Sequence, residues 1–209
     1  MSGFNTQLNE TLEELKTSDL YRFLKRVEAV QEGRIQVSGK WLLNLASNNY
    51  LGLTTHPRLI QAAQAATQQY GTGAGASRLI SGNIKIHEEL EEAIATLKQT
   101  GSAAVFPTGY MASLGAMTTL AGEGDWVVAD RLSHASLIDA CRLSRATFRV
   151  FAHNDAQALE AVLKKCQSGH KLVITEGVFS MDGDIAPLPE LLSVCEKHDA
   201  LLLIDDAHG

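Results

Sequence analysis

The sequence predicts an α/β protein: a mostly parallel sheet with helices on both faces, preceded by an amino-terminal helical arm and hairpin. Short apolar runs recur at residues 103–106, 126–129, 148–152, 172–175 and 201–204. Helical stretches of ten or more residues separate them. Short apolar strands between helices indicate a sheet covered on both sides. The first ~50 residues lack this alternation and read as an arm or small subdomain attached to the main sheet.

In chain order, residues 8–30 read as a charged amphipathic helix. Residues 34–37 and 41–45 then read as a hairpin about the turn Ser38-Gly39-Lys40. His56-Pro57 opens a helix marked by Leu59, Ile60 and Ala63. Residues 71–77, Gly-Thr-Gly-Ala-Gly-Ala-Ser, are too glycine-rich for a regular element and read as a loop. Leu90, Ile94 and Leu97 mark one face of the next helix. Glu88, Glu89, Glu91 and Glu92 lie in its early turns, where the helix dipole favours negative charge. The strand–helix alternation follows, without repeats, low-complexity tracts or a clear linker.

The formal charge of −6 and the lack of a Lys/Arg block argue against a nucleic-acid partner, because clustered basic residues drive phosphate-backbone binding. No apolar run approaches the ~20 residues that span a bilayer. The polar, acidic start lacks a secretory pattern, so a cytoplasmic, membrane-free protein is expected. Cys141, Cys166 and Cys195 lie far apart without a C-x-x-C pair. They are expected to be structural thiols on helices, with no disulfide framework and no metal site.

In a parallel sheet, ligand-facing residues follow the strands. Thr108-Gly109-Tyr110 opens a helix after the run at 103–106. Bare amides and a glycine suit a phosphate there, although strand–glycine–helix junctions are common. His134, after the run at 126–129, can cap a helix or stack on a planar group. Glu176 and Ser180 lie in a segment with three acids and two glycines, either a solvated turn or a loop around a polar ligand.

Asp205 and His208 end the chain in Leu201-Leu202-Leu203-Ile204-Asp205-Asp206-Ala207-His208. A strand-end Asp can bind a nucleotide ribose, hold magnesium, or face the ring nitrogen of pyridoxal phosphate. The first two readings need G-x-G-x-x-G or G-x-x-x-x-G-K-[ST], and neither is present. The third uses all four sites together: a phosphate junction, a ring-covering histidine, a side loop and an acid that keeps the pyridine nitrogen protonated.

The runs Ser47-Asn48-Asn49-Tyr50-Leu51-Gly52-Leu53, Gly71 through Asn83, Ser133-His134-Ala135-Ser136 and Asp205-Asp206-Ala207-His208-Gly209 closely resemble the α-oxoamine synthases, which are fold-type I pyridoxal-phosphate enzymes. The resemblance covers the chain from about Leu20. Ser77 through Asn83, Arg131-Leu132-Ser133-His134 and His153-Asn154-Asp155 are most similar to the member that condenses L-alanine with a pimeloyl thioester in biotin synthesis. Members that use glycine or serine remain alternatives.

The resemblance implies pyridoxal 5′-phosphate as cofactor and a homodimer with its active site at the interface. It implies cofactor contacts from Gly109, Tyr110 (often Phe in the family) and Ser180. His134 is implied to stack on the ring, Asp205 to pair with the ring nitrogen and His208 to bond the ring hydroxyl. Arg22, Asn48, His134 and Glu176 are implied substrate contacts.

The family's cofactor-bearing lysine lies downstream of Asp-x-x-His-Gly. None of Lys16, Lys25, Lys40, Lys85, Lys98, Lys164, Lys165, Lys171 and Lys197 matches that context. The expectation is therefore an amino-terminal portion that is inactive alone. Residues 1–50 would form the arm, and residues 51–209 a large domain cut before the lysine and a carboxyl-terminal small domain.

Overall fold

The computed structural model describes residues 3–209. The chain forms two compact units, one ending at Thr72 and the other beginning at Gly73. That break lies beyond the boundary at residue 50 expected from composition. Helix α2 (Pro57–Tyr70) packs on the 3₁₀ turn Leu53–Thr55 just before it, which ties it to the amino-terminal unit.

In the amino-terminal unit, α1 spans Gly3–Thr17 and stops well short of the expected residue 30. Asp19 turns left-handed (φ 56°), and the amides of Leu20 and Tyr21 both donate to the Leu15 carbonyl, which closes the helix end. Residues 20–28 of that stretch are irregular, and pairing captures only its end. Strand β1 (Ala29–Gln31) joins β2 (Arg34–Val37) and β3 (Lys40–Leu43) in an antiparallel sheet of order β1-β2-β3. Both hairpin turns, Glu32-Gly33 and Ser38-Gly39, have positive φ at each central residue, the geometry that matches strand twist. Pro57 then starts α2 behind an N-cap in which the His56 imidazole accepts the Arg58 amide.

In the second unit a π-helical turn, Arg78–Gly82, precedes α3 (Lys85–Lys98). Arg78 grips Glu91 through two N–H···O bonds of 2.6 and 3.0 Å. The guanidinium bond, helped by the Val105 amide, holds the Glu91 carboxyl down at about 2. Residues 103–106, expected to be a strand, pair with none among the described residues. Their main chain bonds side chains instead: the Val105 amide donates to Glu91 and its carbonyl accepts from Arg78.

The remaining runs form the sheet. Helix α4 (Gly109–Leu120) precedes β4 (Trp126–Asp130), α5 (Ala135–Leu143), β5 (Thr147–Phe151), α6 (Ala156–Leu163), β6 (Lys171–Glu176), α7 (Leu188–Lys197) and β7 (Leu201–Asp205). The four strands are all parallel, in the order β5-β4-β6-β7. Strand alternation sorts the core into two layers. Val127, Ala129, Leu172 and Ile174 pack with Met117 of α4 and with Leu137, Ala140 and Cys141 of α5. Val128 and Val173 pack with Leu159 and Leu163 of α6 and with Leu191 and Cys195 of α7. Each large apolar side chain buried this way contributes about 1.5–3 kcal/mol.

The three thiols are free and buried. Cys141 and Cys195 lie on helices, whereas Cys166 falls just past the end of α6. Burial pushes the Cys141 and Cys195 thiols up to about 11, which makes them poor nucleophiles. Among the described residues no helix is long and apolar enough to cross a membrane.

Gly169 is left-handed (φ 77°), and a Cβ there would collide with the Gly124 carbonyl just ahead of β4. Gly169→Ala is expected to cost about 1–3 kcal/mol from backbone strain alone. It should lower the urea midpoint without changing the slope.

Candidate functional site

Parallel strands bring their carboxyl ends to one edge, and the chemistry-bearing residues converge there. A cleft of about 420 Å³ is lined by Gly109, Tyr110, His134, Glu176, Ser180, Asp205 and His208. Its size falls within the roughly 300–1,000 Å³ usual for cofactor and small-ligand sites.

Helix α4 supplies one wall. The Thr108 hydroxyl caps it by accepting the Met111 amide at 3.1 Å, while Gly109 and Tyr110 occupy the first turn, whose amides lack intrahelical acceptors. The space where a Gly109 Cβ would stand is open, so an anion can approach the backbone. The Tyr110 hydroxyl is tied to Asp139 at 3.3 Å, and the nearby carboxylate raises its pKa.

His134 caps α5 and also lines the cleft, so the two sequence readings of this residue describe one placement. Its Nδ1 accepts the Ser136 amide at 3.2 Å and lies 2.8 Å from the Ser136 hydroxyl. An accepting Nδ1 puts the neutral ring's proton on Nε2. Glu176, at the end of β6 and 4% exposed, accepts the His134 amide at 2.6 Å and also the Ser180 amide. One carboxylate thereby ties together two elements of the cleft wall. Burial raises the Glu176 pKa, and the Asp205 charge adds to that, against the opposing pull of the amide bonds.

Asp205 stands opposite Glu176 in the β6–β7 register. Its Oδ1 accepts the Ala207 amide at 3.1 Å, which orients the carboxylate against the following turn. Asp206 forms an ion pair with Lys98 of α3. His208 lies on the same rim.

Arg22 and Asn48 belong to the amino-terminal unit and are not among the residues that line this cleft. Arg22 is exposed in an irregular stretch. Asn48 lines a separate concavity with Ser47, Tyr50 and Leu53, and accepts the Tyr50 hydroxyl at 3.4 Å.

Sequence reasoning missed the small residues of the α4 wall and the acid at 206. Ala112, Ser113 and Ala116 also line the cleft. With Gly109 they fall at i, i+3, i+4 and i+7, a one-face helical spacing that was legible as a small-residue stripe.

Fold and cleft define an open α/β protein with a cleft at the carboxyl edge of its sheet, where a helix N-terminus and an open glycine suit an anionic group. The chain belongs to the aminotransferase class I and II family, whose sequence profile matches residues 40–209. The 8-amino-7-oxononanoate synthase of Geobacter metallireducens is 51% identical over 96% of this chain and 51% of its own length. That of Alkaliphilus metalliredigens is 48% identical over 97% and 52%.

Among solved structures, a serine palmitoyltransferase from S. paucimobilis with bound PLP–myriocin superposes with a TM-score of 0.88 at 38% identity. The match covers 96% of this chain and 51% of that one. An 8-amino-7-oxononanoate synthase from Francisella tularensis matches at 0.65 and 28%, over 77% and 44%. The chain spans about half the length of the curated relatives it matches.

Proposed function

We propose that this chain forms the cofactor cradle of a pyridoxal-phosphate-dependent C-acyltransferase. The reaction condenses L-alanine with a pimeloyl thioester, releases carbon dioxide and the thiol carrier, and yields 8-amino-7-oxononanoate for biotin synthesis. One observation carries the reading. A helix N-terminus with an open glycine, an imidazole, a serine and a strand-end carboxylate converge on one cleft at the sheet edge.

That donor set fits the cofactor. The first-turn amides at Gly109 and Tyr110 suit its dianionic phosphate. His134 would flank the ring, Ser180 and His208 would bond its polar edge, and Asp205 would hold a proton on the ring nitrogen. When bound, pyridoxal phosphate supplies an electron sink for the substrate carbanion. Glu176 keeps His134 and Ser180 in place through their amides, and Arg22 and Asn48 are assigned to the substrate side. The working enzyme is a cytoplasmic homodimer.

A second reading, serine with a long-chain acyl thioester, is favoured by the higher TM-score to serine palmitoyltransferase. Identity near 50% to relatives named 8-amino-7-oxononanoate synthase supports the first.

The test is a substrate panel on the complete holoenzyme: alanine, glycine and serine against pimeloyl and palmitoyl thioesters, with product identified by mass. Alanine with the pimeloyl thioester is expected to give at least tenfold higher kcat/KM than any other pair, a difference of about 1.4 kcal/mol in transition-state binding. Preference for serine and palmitoyl thioester would transfer the assignment to the second reading.

A further inference from the structure

Beside the cleft, His153 stands between two carboxylates. Its Nδ1 is 2.9 Å from Asp130 Oδ1 and its Nε2 is 2.7 Å from Asp184 Oδ2. Asp130 ends β4, is fully buried, and also accepts the amides of Leu132 and Asn154, each at 2.8 Å. Asp184 lies in the segment 177–186 between β6 and α7, and also accepts the Asn154 side-chain amide at 2.7 Å. The edge of the imidazole meets Phe179, with centroids 4.4 Å apart at 89°. Among the described residues, Asp130 and Asp184 are the charged groups that face His153 from the elements packed on it.

A neutral imidazole carries one N–H and can donate to only one of these carboxylates. The imidazolium alone satisfies both contacts. Deprotonation at Nε2 sets a lone pair against Asp184 and leaves the Asn154 amide, 3.3 Å from Nε2 and 2.7 Å from Asp184 Oδ2, as the donor between them, so the direct imidazole–Asp184 contact opens. Asp130 is held by two main-chain donors inside the core. Asp184 is half-exposed on a loop and is the partner that can leave.

The same loop carries Ser180 into the cleft. Its own fold is slight: Phe179 N–H to the Asp184 carbonyl, Gly183 N–H to the Phe179 carbonyl, and Ala186 N–H to the Gly177 carbonyl. We propose that His153 is a positioning residue: as an imidazolium between Asp130 and Asp184 it latches the 177–186 loop to the sheet edge, sets where Ser180 stands in the cleft, and releases the loop on losing its proton.

Partial burial disfavours the charge on His153, but the bonds to Asp130 and Asp184 outweigh it and raise its pKa. The bond from His153 lowers that of Asp184. A raised histidine stabilises fully below its unfolded value of about 6.5, and that contribution is lost as pH rises through the folded value. A lowered aspartate stabilises above about 3.9 and fails only as pH falls through its depressed value. The latch is therefore closed below the ordinary histidine value of about 6.5 and opens as pH rises through the raised value.

Amide hydrogen exchange on the full chain without cofactor tests this, with Phe179, Gly183 and Ala186 as probes and Ile174 of β6 as the core reference. Protection factors at the probes are expected to fall about tenfold for each unit by which the His153 pKa is raised. The fall should come as pH rises above the ordinary histidine value of about 6.5, with Ile174 unchanged. In His153→Gln the probes should show the lower protection throughout, with no pH step. In Asp184→Asn the step should move to lower pH.

A pH-independent loop in the native protein, a step that survives His153→Gln, or one unmoved in Asp184→Asn would overturn the proposal. Should His153→Gln fail to fold, an NMR titration of His153 in the native chain decides the matter: a pKa at or below the ordinary histidine value overturns it. The consequence for cofactor binding through Ser180 rests on the function proposed above. The exchange experiment does not, so the two can fail separately.

Discussion

Asp205→Ala is expected to weaken binding of pyridoxal phosphate by about ten- to a hundredfold, measured by absorbance or fluorescence titration. The carboxylate ends β7 on the cleft rim, half-buried and oriented by the Ala207 amide. A hydrogen bond to a charged group contributes about 1.5–3 kcal/mol net, and each 1.4 kcal/mol is a factor of ten in affinity. The loss in turnover should exceed the loss in affinity. An uncharged ring nitrogen weakens the electron sink as well as the grip on the ring. Asp205→Asn separates the two effects, since it keeps the shape and loses the charge. Fold stability should change little, because the one bond shown for the side chain is local. Unchanged affinity in Asp205→Ala would remove the residue from the cofactor site.

Phe179→Ala should produce the largest loss of stability, about 3–5 kcal/mol by urea denaturation. Its ring is 1% exposed among Val128, Phe151, Leu159 and Leu191, between the sheet and helices α6 and α7. Domains of this size carry only about 5–15 kcal/mol of net stability, so the variant should lose a large share of it. Two residues on, Met181 is 92% exposed, and Met181→Ala should stay within about 0.5 kcal/mol of the native chain. The pair tests the geometry of one loop: an anchor facing the core beside a tip facing solvent. Equal losses at 179 and 181 would contradict it. Phe179 also precedes Ser180, so its loss should weaken cofactor binding beyond what global unfolding accounts for.

Much of the second unit was legible in the amino-acid order. Leu172 through Ile174 make a continuous apolar run between helices. A run this short, rich in β-branched residues, reads as a strand covered on both sides, and the structure places it beside β4 in the middle of the sheet. His56-Pro57 marked the start of α2 because a proline at the first turn forfeits no helical bond.

Other elements were not legible, because a bonding partner rather than the local apolar pattern decided each. Residues 18–30 have a helical apolar pattern, yet Ala29–Gln31 pairs with Arg34–Gln36 and residues 20–28 are irregular. Residues 103–106 are as apolar as β4, but the groups that satisfy Val105 are the side chains of Arg78 and Glu91, 27 and 14 residues away.

The site divides the same way. Gly109, His134, Glu176, Ser180, Asp205 and His208 could be nominated because each follows an apolar run, and a parallel sheet delivers such positions to one edge. The arrangement of His153 between acids 23 residues before it and 31 after it leaves no local pattern. Local chemistry determined strands β4 to β7, the caps and the residue types that could serve a cofactor, since those depend on side-chain periodicity and backbone preference. Only the tertiary structure decided which carboxylates hold amides and which meet an imidazole. Burial and distance set that choice, and neither is a property of a residue's neighbours in sequence.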